Sequence, residues 1–519
     1  MSFLQALLCG IFYYLNAGPW IVGGGYYTFG KPLVLGFFVG LVLGDPVQGT
    51  IVGAAIQLIY LGVMSTGGSY PADPALAGIV GTAAAISGGL SAPEAVAIAI
   101  PVGLAGTVLF NLRMLSAVPF THMADKAAEK GDTKGVFLAN VVGAQVALAA
   151  IYVIPCTIIC MFGVDAISGL INALAGTTFI RVLGVVGGVL SVVGIAMNMK
   201  AIFKGDAIPF FFIGFLMVVY FSLNMLSRRV ALLRPPSLRG MMTMSDEIKR
   251  VPAKAMHKSF WNWLVFAHSC YNYERLQGTG FLYAMCPIID ALYAKDDVEG
   301  RRKAMQRHTA FFNTEVRLGG AIVGLTAAME ERIAAGEIEL ANDLMPSVKY
   351  GLMGPIAGVG DTIIQAVLSP ILLSLCIGLA MDGNVAGPLL YLAMFVALLV
   401  VMGRHSFQLG YKKGDEAIMG LLESGLINKL ITAAGIMGCT VMGALVANYV
   451  SLSTTINLEL TTGAFDLQAD VFDAIMPKAL PLALALFVYW LMDKRGVSAL
   501  RMMAYLIFGG IVLGYLGIV

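Results

Sequence analysis

Charge is what this chain has little of. Only 12% of its 519 residues are Asp, Glu, Lys or Arg, against 58% hydrophobic, and mean hydropathy is +0.83. A soluble domain carries about 25% charged residues, so a polytopic membrane protein is expected. The formal net charge of +2 says little, and no nucleic-acid partner or cofactor is expected. Metal and redox patterns are scarce as well. The seven Cys (9, 156, 160, 270, 286, 376 and 439) are dispersed in apolar surroundings. Cys156 and Cys160 are an i, i+4 pair with no second Cys pair or His beside them, so buried thiols are expected, not a metal site or a disulfide framework. The five His show no metal spacing. No Walker loop, zinc motif or nucleophile elbow is present. Residues 1–11 are apolar without a basic flank, and read as a retained first helix, not a cleaved signal peptide.

What the chain does have is long apolar runs. Residues 33–64 are interrupted only at Gly44-Asp45-Pro46, and 75–89 are rich in Ala and Gly, which lets helices approach closely in lipid. Further spans are read at 95–112, 136–162, 167–180, 182–197 and 208–226, then at 363–380, 388–402, 427–450, 479–492 and 502–519. Residues 121–134 are charged and read as a solvated helix or loop. Residues 228–258 hold eight basic side chains against Asp246 and Glu247, a local charge of +6, which puts them in the cytoplasm. Pro235-Pro236 begins a linker, and Met241-Met242-Thr243-Met244 looks like a fresh start. The expected division is a transmembrane domain at 1–230, a basic linker at 231–257 and a second transmembrane domain at 258–519. Residues 260–317 are amphipathic and aromatic, and read as helices at the cytoplasmic surface that dip toward the core. Residues 404–416 read as a polar connection. Residues 451–473 have almost no basic residue and read as external.

Two Gly/Pro-rich stretches end on a carboxylate. One is Gly351-Leu352-Met353-Gly354-Pro355-Ile356-Ala357-Gly358-Val359-Gly360-Asp361; the other runs from Thr66 to Asp73-Pro74. Both read as broken, re-entrant segments, which a membrane tolerates where they line a cavity. Asp361 and Asp73 then serve either as site residues or as helix caps. Gln57 stands out in apolar context, as a ligand or as interhelical glue. A dense polar set follows: Asn272, Glu274 and Gln277, then Arg307-His308, then Phe311-Phe312-Asn313-Thr314. Carboxylate, amides and aromatic rings together suit a sugar; a satisfied interfacial helix would carry the same residues.

Residues 258–519 resemble the IID subunit of the mannose-class phosphotransferase system. The resemblance is carried by Asn272-Tyr273-Glu274-Arg275-Leu276-Gln277 with Gly280-Phe281, by Arg307-His308 with Phe311-Phe312-Asn313-Thr314, and by the 351–361 stretch. Residues 1–230 resemble the IIC subunit through Lys31-Pro32, Leu43-Gly44-Asp45, Pro71-Ala72-Asp73-Pro74-Ala75-Leu76-Ala77 and His122-Met123-Ala124-Asp125-Lys126. The resemblance implies two all-α membrane domains of related, inverted folds, and a homotrimer of IIC–IID pairs moving as an elevator in the bacterial inner membrane. It implies that sugar is phosphorylated on arrival by a His of a separate IIB protein, recharged through IIA. It implies a sugar site between the halves, touched by Gln57, Asp73, Asn272, Glu274, Gln277, His308, Asn313, Asp361 and Gln365. Mannose-specific relatives carry Glu where this chain has Gln57, and a Pro and a Trp where Thr362 and Gln365 follow Asp361, so the sugar need not be mannose. An ion-coupled secondary transporter and a non-transporting receptor are the alternative readings.

Overall fold

The structure is a computed structural model. It describes residues 1–23, 25–63, 72–164, 208–221, 250–336, 345–423, 442–448, 450–460, 463–497 and 499–516, with single positions at 189, 192, 195, 196, 199, 436, 439, 440 and 518. The expected linker and the expected spans at 167–180 and 182–197 lie mostly or wholly outside the described residues.

The first half opens with α1 (Phe3–Ala17), whose start is a capping box between Ser2 and Gln5. The helices α2 (Pro32–Leu43) and α3 (Pro46–Ile59) form a tight hairpin. Gly44 turns the chain at φ +91°, and the Asp45 carboxylate accepts the Gln48 N–H at 2.9 Å to start α3. The hairpin closes through facing glycines: a Cβ on Gly36 would lie 2.5 Å from the Gly49 carbonyl oxygen, and one on Gly53 2.5 Å from that of Pro32. Next come α4 (Pro74–Gly88), α5 (Ala92–Ser116), α6 (Val118–Glu129), α7 (Thr133–Phe137), α8 (Ala144–Ile158) and α9 (Ile208–Phe221). The charged 121–134 stretch is thus mostly helical, and Ala124, Ala127 and Ala128 are buried on one face of it.

The second half begins with α10 (Ala253–Phe266), α11 (Gly278–Leu292), α12 (Val298–Gln306) and α13 (Val316–Ala334), then α14 (Met345–Asp361), α15 (Ser369–Met381) and α16 (Ala386–Glu423). A short hairpin, β1 (Asn457–Leu460) with β2 (Gly463–Asp466), precedes α17 (Ala479–Lys494) and α18 (Ala499–Tyr515). Among the described residues, four helical stretches are long and apolar enough to cross a membrane: Ala92–Glu129, Thr133–Gly163, Leu352–Met381 and Ala386–Lys412. The fold is that of an all-α polytopic membrane protein.

Three local expectations are corrected. Residues 351–361 are helical: α14 continues through a π-helical stretch, Thr362–Leu368, into α15. Asp361 therefore sits within a helical run and makes no side-chain cap. An apolar environment satisfies backbone groups only inside the segment, and this outweighs the poor helix propensity of Gly and Pro. Residues 272–277 form a turn, not a helix. The Asn272 Oδ1 accepts the N–H groups of Glu274 and Arg275, each at 3.0 Å, and Leu276 adopts φ +49°. Residues 404–416 continue α16 and are not a connection.

Among the described residues, the two largest hydrophobic cores each mix the halves. One joins α1–α5 to Ile364, Ile371, Tyr391 and Phe395. The other joins Ala128 and Val136 to Trp263, Phe281, Ile322 and Phe407. Polar contacts cross the same boundary. Asp125 pairs with Arg275 at 2.5 Å, Arg301 Nε donates to the Gly131 carbonyl at 3.2 Å, and Gln145 Nε2 donates to Ser269 Oγ at 2.8 Å. The result is an assembly in which neither half buries its apolar surface alone.

Candidate functional site

A cavity of about 140 Å³ opens between the two halves. The first half supplies Asn16 and Ala17 from the end of α1, Tyr26 and Tyr27 from a single 3₁₀ turn, Phe110 and Arg113 from α5, and Tyr152 from α8. The second supplies His268 and Tyr271 after α10, Gln277 at the head of α11, residues 313–317 at the head of α13, and Ala357 and Asp361 from α14.

The head of α13 is the most charged part of the wall. Glu315 caps the helix, accepting the N–H groups of Arg317 and Leu318 at 2.9 Å each, and its other oxygen takes the Arg317 Nη1 at 3.0 Å. Both side chains are 1% exposed. A buried pair of this kind is held only where the carboxylate's remaining lone pairs are also used, as they are here. The Arg317 guanidinium lies over the Tyr27 ring at 4.4 Å, so this contact crosses between the halves. Tyr27 is itself fixed by the Tyr391 hydroxyl, which donates to its carbonyl at 2.8 Å.

Gln277 is a strut. Its Oε1 accepts the Thr314 N–H at 3.0 Å, and its Nε2 donates to the Thr314 carbonyl at 2.7 Å and to His268 Nε2 at 3.0 Å. Because a backbone N–H already occupies Oε1, Nε2 is the donor toward the imidazole, and the His268 proton resides on Nδ1. Arg113 Nη2 donates to the His268 carbonyl at 2.9 Å, and Tyr271 Oη donates to Asn313 Oδ1 at 3.3 Å. Asp361 is half-buried, and its Oδ1 accepts from Gln365 Nε2 at 2.8 Å. The cavity thus presents carboxylate, guanidinium, amide and phenol groups beside aromatic rings. That set suits a small polyhydroxylated molecule, and no nucleophile–base pair faces it among the described residues.

Of the residues singled out from sequence, Gln277, Asn313 and Asp361 line the cavity, and Gln365 holds Asp361 from one helical turn away. Asp73 stands one layer behind the wall. It caps α4, accepting the Leu76 N–H at 3.0 Å and the Tyr13 hydroxyl at 2.5 Å, and Tyr13 packs on the cavity-lining Tyr152 at 4.5 Å. Gln57 is buried in α3 and does not line the cavity; its amide oxygen and nitrogen find no partner among the described residues. Asn272 braces the 272–277 turn and donates to Thr121 Oγ1 at 2.8 Å. Glu274 faces His122 Nε2 at 3.3 Å on the boundary between the halves. His308 is buried in a separate network with Glu330, Arg307 and Tyr293. Sequence reasoning passed over Glu315, Arg317, Arg113, His268, Tyr26 and Tyr27. The pair Glu315-Val316-Arg317, heading the apolar 319–328 run, is the signal that points to the first two.

Family models match both parts of the chain. Residues 250–519 match the model described as PTS system mannose/fructose/sorbose family IID component, and residues 3–232 match PTS system sorbose-specific IIC component. The fructose permease IID component of Bacillus subtilis is 40% identical over 261 residues, covering 49% of this chain and 90% of that protein. The mannose-specific EIIC component of Escherichia coli K12 is 34% identical over 203 residues, covering 39% of this chain and 75% of that protein. A solved structure of the mannose transporter ManYZ with microcin E492 is 32% identical over 52% of this chain and 99% of that one, at a TM-score of 0.31.

Proposed function

The chain belongs to the mannose/fructose/sorbose family of phosphotransferase-system permeases, with a IIC and a IID component in one polypeptide, and from that premise we propose that it binds its sugar in the cavity between them. It is a sugar-translocating membrane component of such a system. The proposal extends to a hexose or related sugar, amino sugars included, carried inward for phosphorylation by a separate IIB protein that IIA recharges. It places the chain in the bacterial cytoplasmic membrane, as a homotrimer whose core moves like an elevator. The proposed division is residues 1–230, 231–257 and 258–519. Fructose, mannose and sorbose, named for the relatives, are the sugars to try first.

One observation carries the reading: a cavity walled by both components, in which Asp361, Asn313 and Arg317 stand beside Tyr26, Tyr27 and Tyr271. Hydroxyls need paired donors and acceptors, and rings cover the apolar face of a sugar. Vesicles bearing the purified chain test it. With phosphoenolpyruvate and the soluble phosphotransfer proteins inside, labelled sugar should accumulate as its phosphate, and an uncoupler should not stop it. Accumulation of free sugar that an uncoupler abolishes would replace this reading with an ion-coupled transporter.

A further inference from the structure

Arg317 is buried, lines the cavity, and is held on two sides. Glu315 takes its Nη1 at 3.0 Å, and the Tyr27 ring covers its plane at 4.4 Å. Its remaining edge, Nε and Nη2, has no hydrogen-bond partner among the described residues. Asn16 Oδ1, also on the wall, has none among them either, but it closes against Gly30, where a Cβ would come within 1.8 Å of it. Buried donors in native proteins are satisfied, and a ligand entering the cavity that Arg317 lines would satisfy this edge. Two parallel N–H groups match two closely spaced oxygens, borne on one atom in a carboxylate or a phosphate and on adjacent carbons in a vicinal diol.

Charge decides among these. Glu315 already neutralises Arg317, and the other charged residues on the wall are Arg113 and Asp361, one of each sign. An anionic ligand would bury a net negative charge with no cation left to meet it. Resting on the reading that the cavity is the sugar site, we propose that Arg317 Nε and Nη2 donate to two adjacent hydroxyl oxygens of a neutral sugar while Asp361 accepts a hydroxyl proton. Arg317 is then the residue that reads a vicinal diol and turns acidic sugars away.

Calorimetric titration of the full chain in detergent tests this, first with D-fructose, D-mannose and L-sorbose. If none of these binds, the titration extends to other hexoses and to amino sugars, and if no such sugar binds the proposal falls with that reading. For a sugar that binds, its monodeoxy analogues and the analogue with a carboxylate in place of one hydroxymethyl group follow. Two deoxy analogues at adjacent positions should each bind at least about tenfold more weakly, and the carboxylate analogue likewise, as expected for lost charge-assisted bonds. In Arg317→Lys, which keeps a cation for Glu315 but lacks the second donor edge, those two penalties should shrink to about threefold or less while the others persist. Penalties scattered without an adjacent pair, tighter binding of the carboxylate, or an unchanged profile in Arg317→Lys would each overturn it. Should Arg317→Lys fail to fold, the analogue series on the unaltered chain still decides.

Discussion

At the scale of the residue, Asp361 is the carboxylate best placed to meet a sugar hydroxyl. It is half-buried on the cavity wall, and Gln365 holds one of its oxygens. Asp361→Asn preserves size and the contact with Gln365 but removes the charge. A charge-assisted bond is worth about 1.5–3 kcal/mol, so sugar binding should weaken roughly 10- to 150-fold with the melting temperature unchanged. Normal binding by this variant would make the carboxylate structural. Asp361 is legible in the sequence as the carboxylate that ends a Gly/Pro-rich apolar stretch, and Gln277 and Asn313 as members of a dense polar set; all three line the cavity. Glu315 and Arg317 are marked only by standing ahead of the apolar 319–328 run, a weak signal because acid and base together at a helix head are common for capping alone. Tyr26 and Tyr27 carry no signal, since aromatic residues recur throughout such a chain.

His308 supplies a second test at this scale. It lies in a turn and Glu330 on α13, both outside the four spanning stretches. Burial holds His308 down at about 4, although the Glu330 carboxylate pulls it upward. Burial raises Glu330, but the bonds from His308 and Arg307 outweigh it and hold the carboxyl at about 2. Each group is depressed on folding, so between the folded and ordinary values the unfolded chain binds more protons. Stability from His308 is present above pH about 6.5 and is lost as pH falls toward 4; that from Glu330 is lost below it. Thermal unfolding of the chain in detergent should therefore occur at lower temperature at pH 4.5 than at pH 7, and His308→Gln should flatten that slope. A slope identical in the variant would remove His308 as its source.

At the scale of the element, apolar runs foretell most helices, and boundaries are misjudged where propensity competes with environment. Residues 351–361 have the composition of a break yet are helical, because lipid and protein offer no other partner to their backbone. Residues 272–277 have no helix-breaking composition yet form a turn, because Asn272 can hold two N–H groups at once. The polar 404–416 stretch continues a helix because charged residues with good propensity extend it past the apolar run. Glycines in α2 and α3 allow close approach. Gly53→Val tests their importance: a Cβ there meets the Pro32 carbonyl at 2.5 Å, and backbone must move. Overpacking of this kind costs about 1–3 kcal/mol. Chromatography in detergent and a thermal melt should show a less stable chain, whereas an unchanged melt would mean that the hairpin yields freely.

At the scale of the whole molecule, the pairing of two membrane components in one chain can be read from motifs. Their mutual packing cannot, because no local pattern records which distant surfaces meet. The charged α6 is the clearest instance. Taken alone it reads as solvated, yet its Ala128 enters a core with Trp263 and Phe281, and Asp125 pairs with Arg275. Each core draws on both halves, and the cavity lies where they meet. That placement gives the central claim its most direct measurement: a cryo-electron microscopy map of the chain with a sugar it transports. The account predicts sugar density between Tyr27 and Arg113 on one side and Asn313, Arg317 and Asp361 on the other. Density confined to one half, away from these residues, would contradict it.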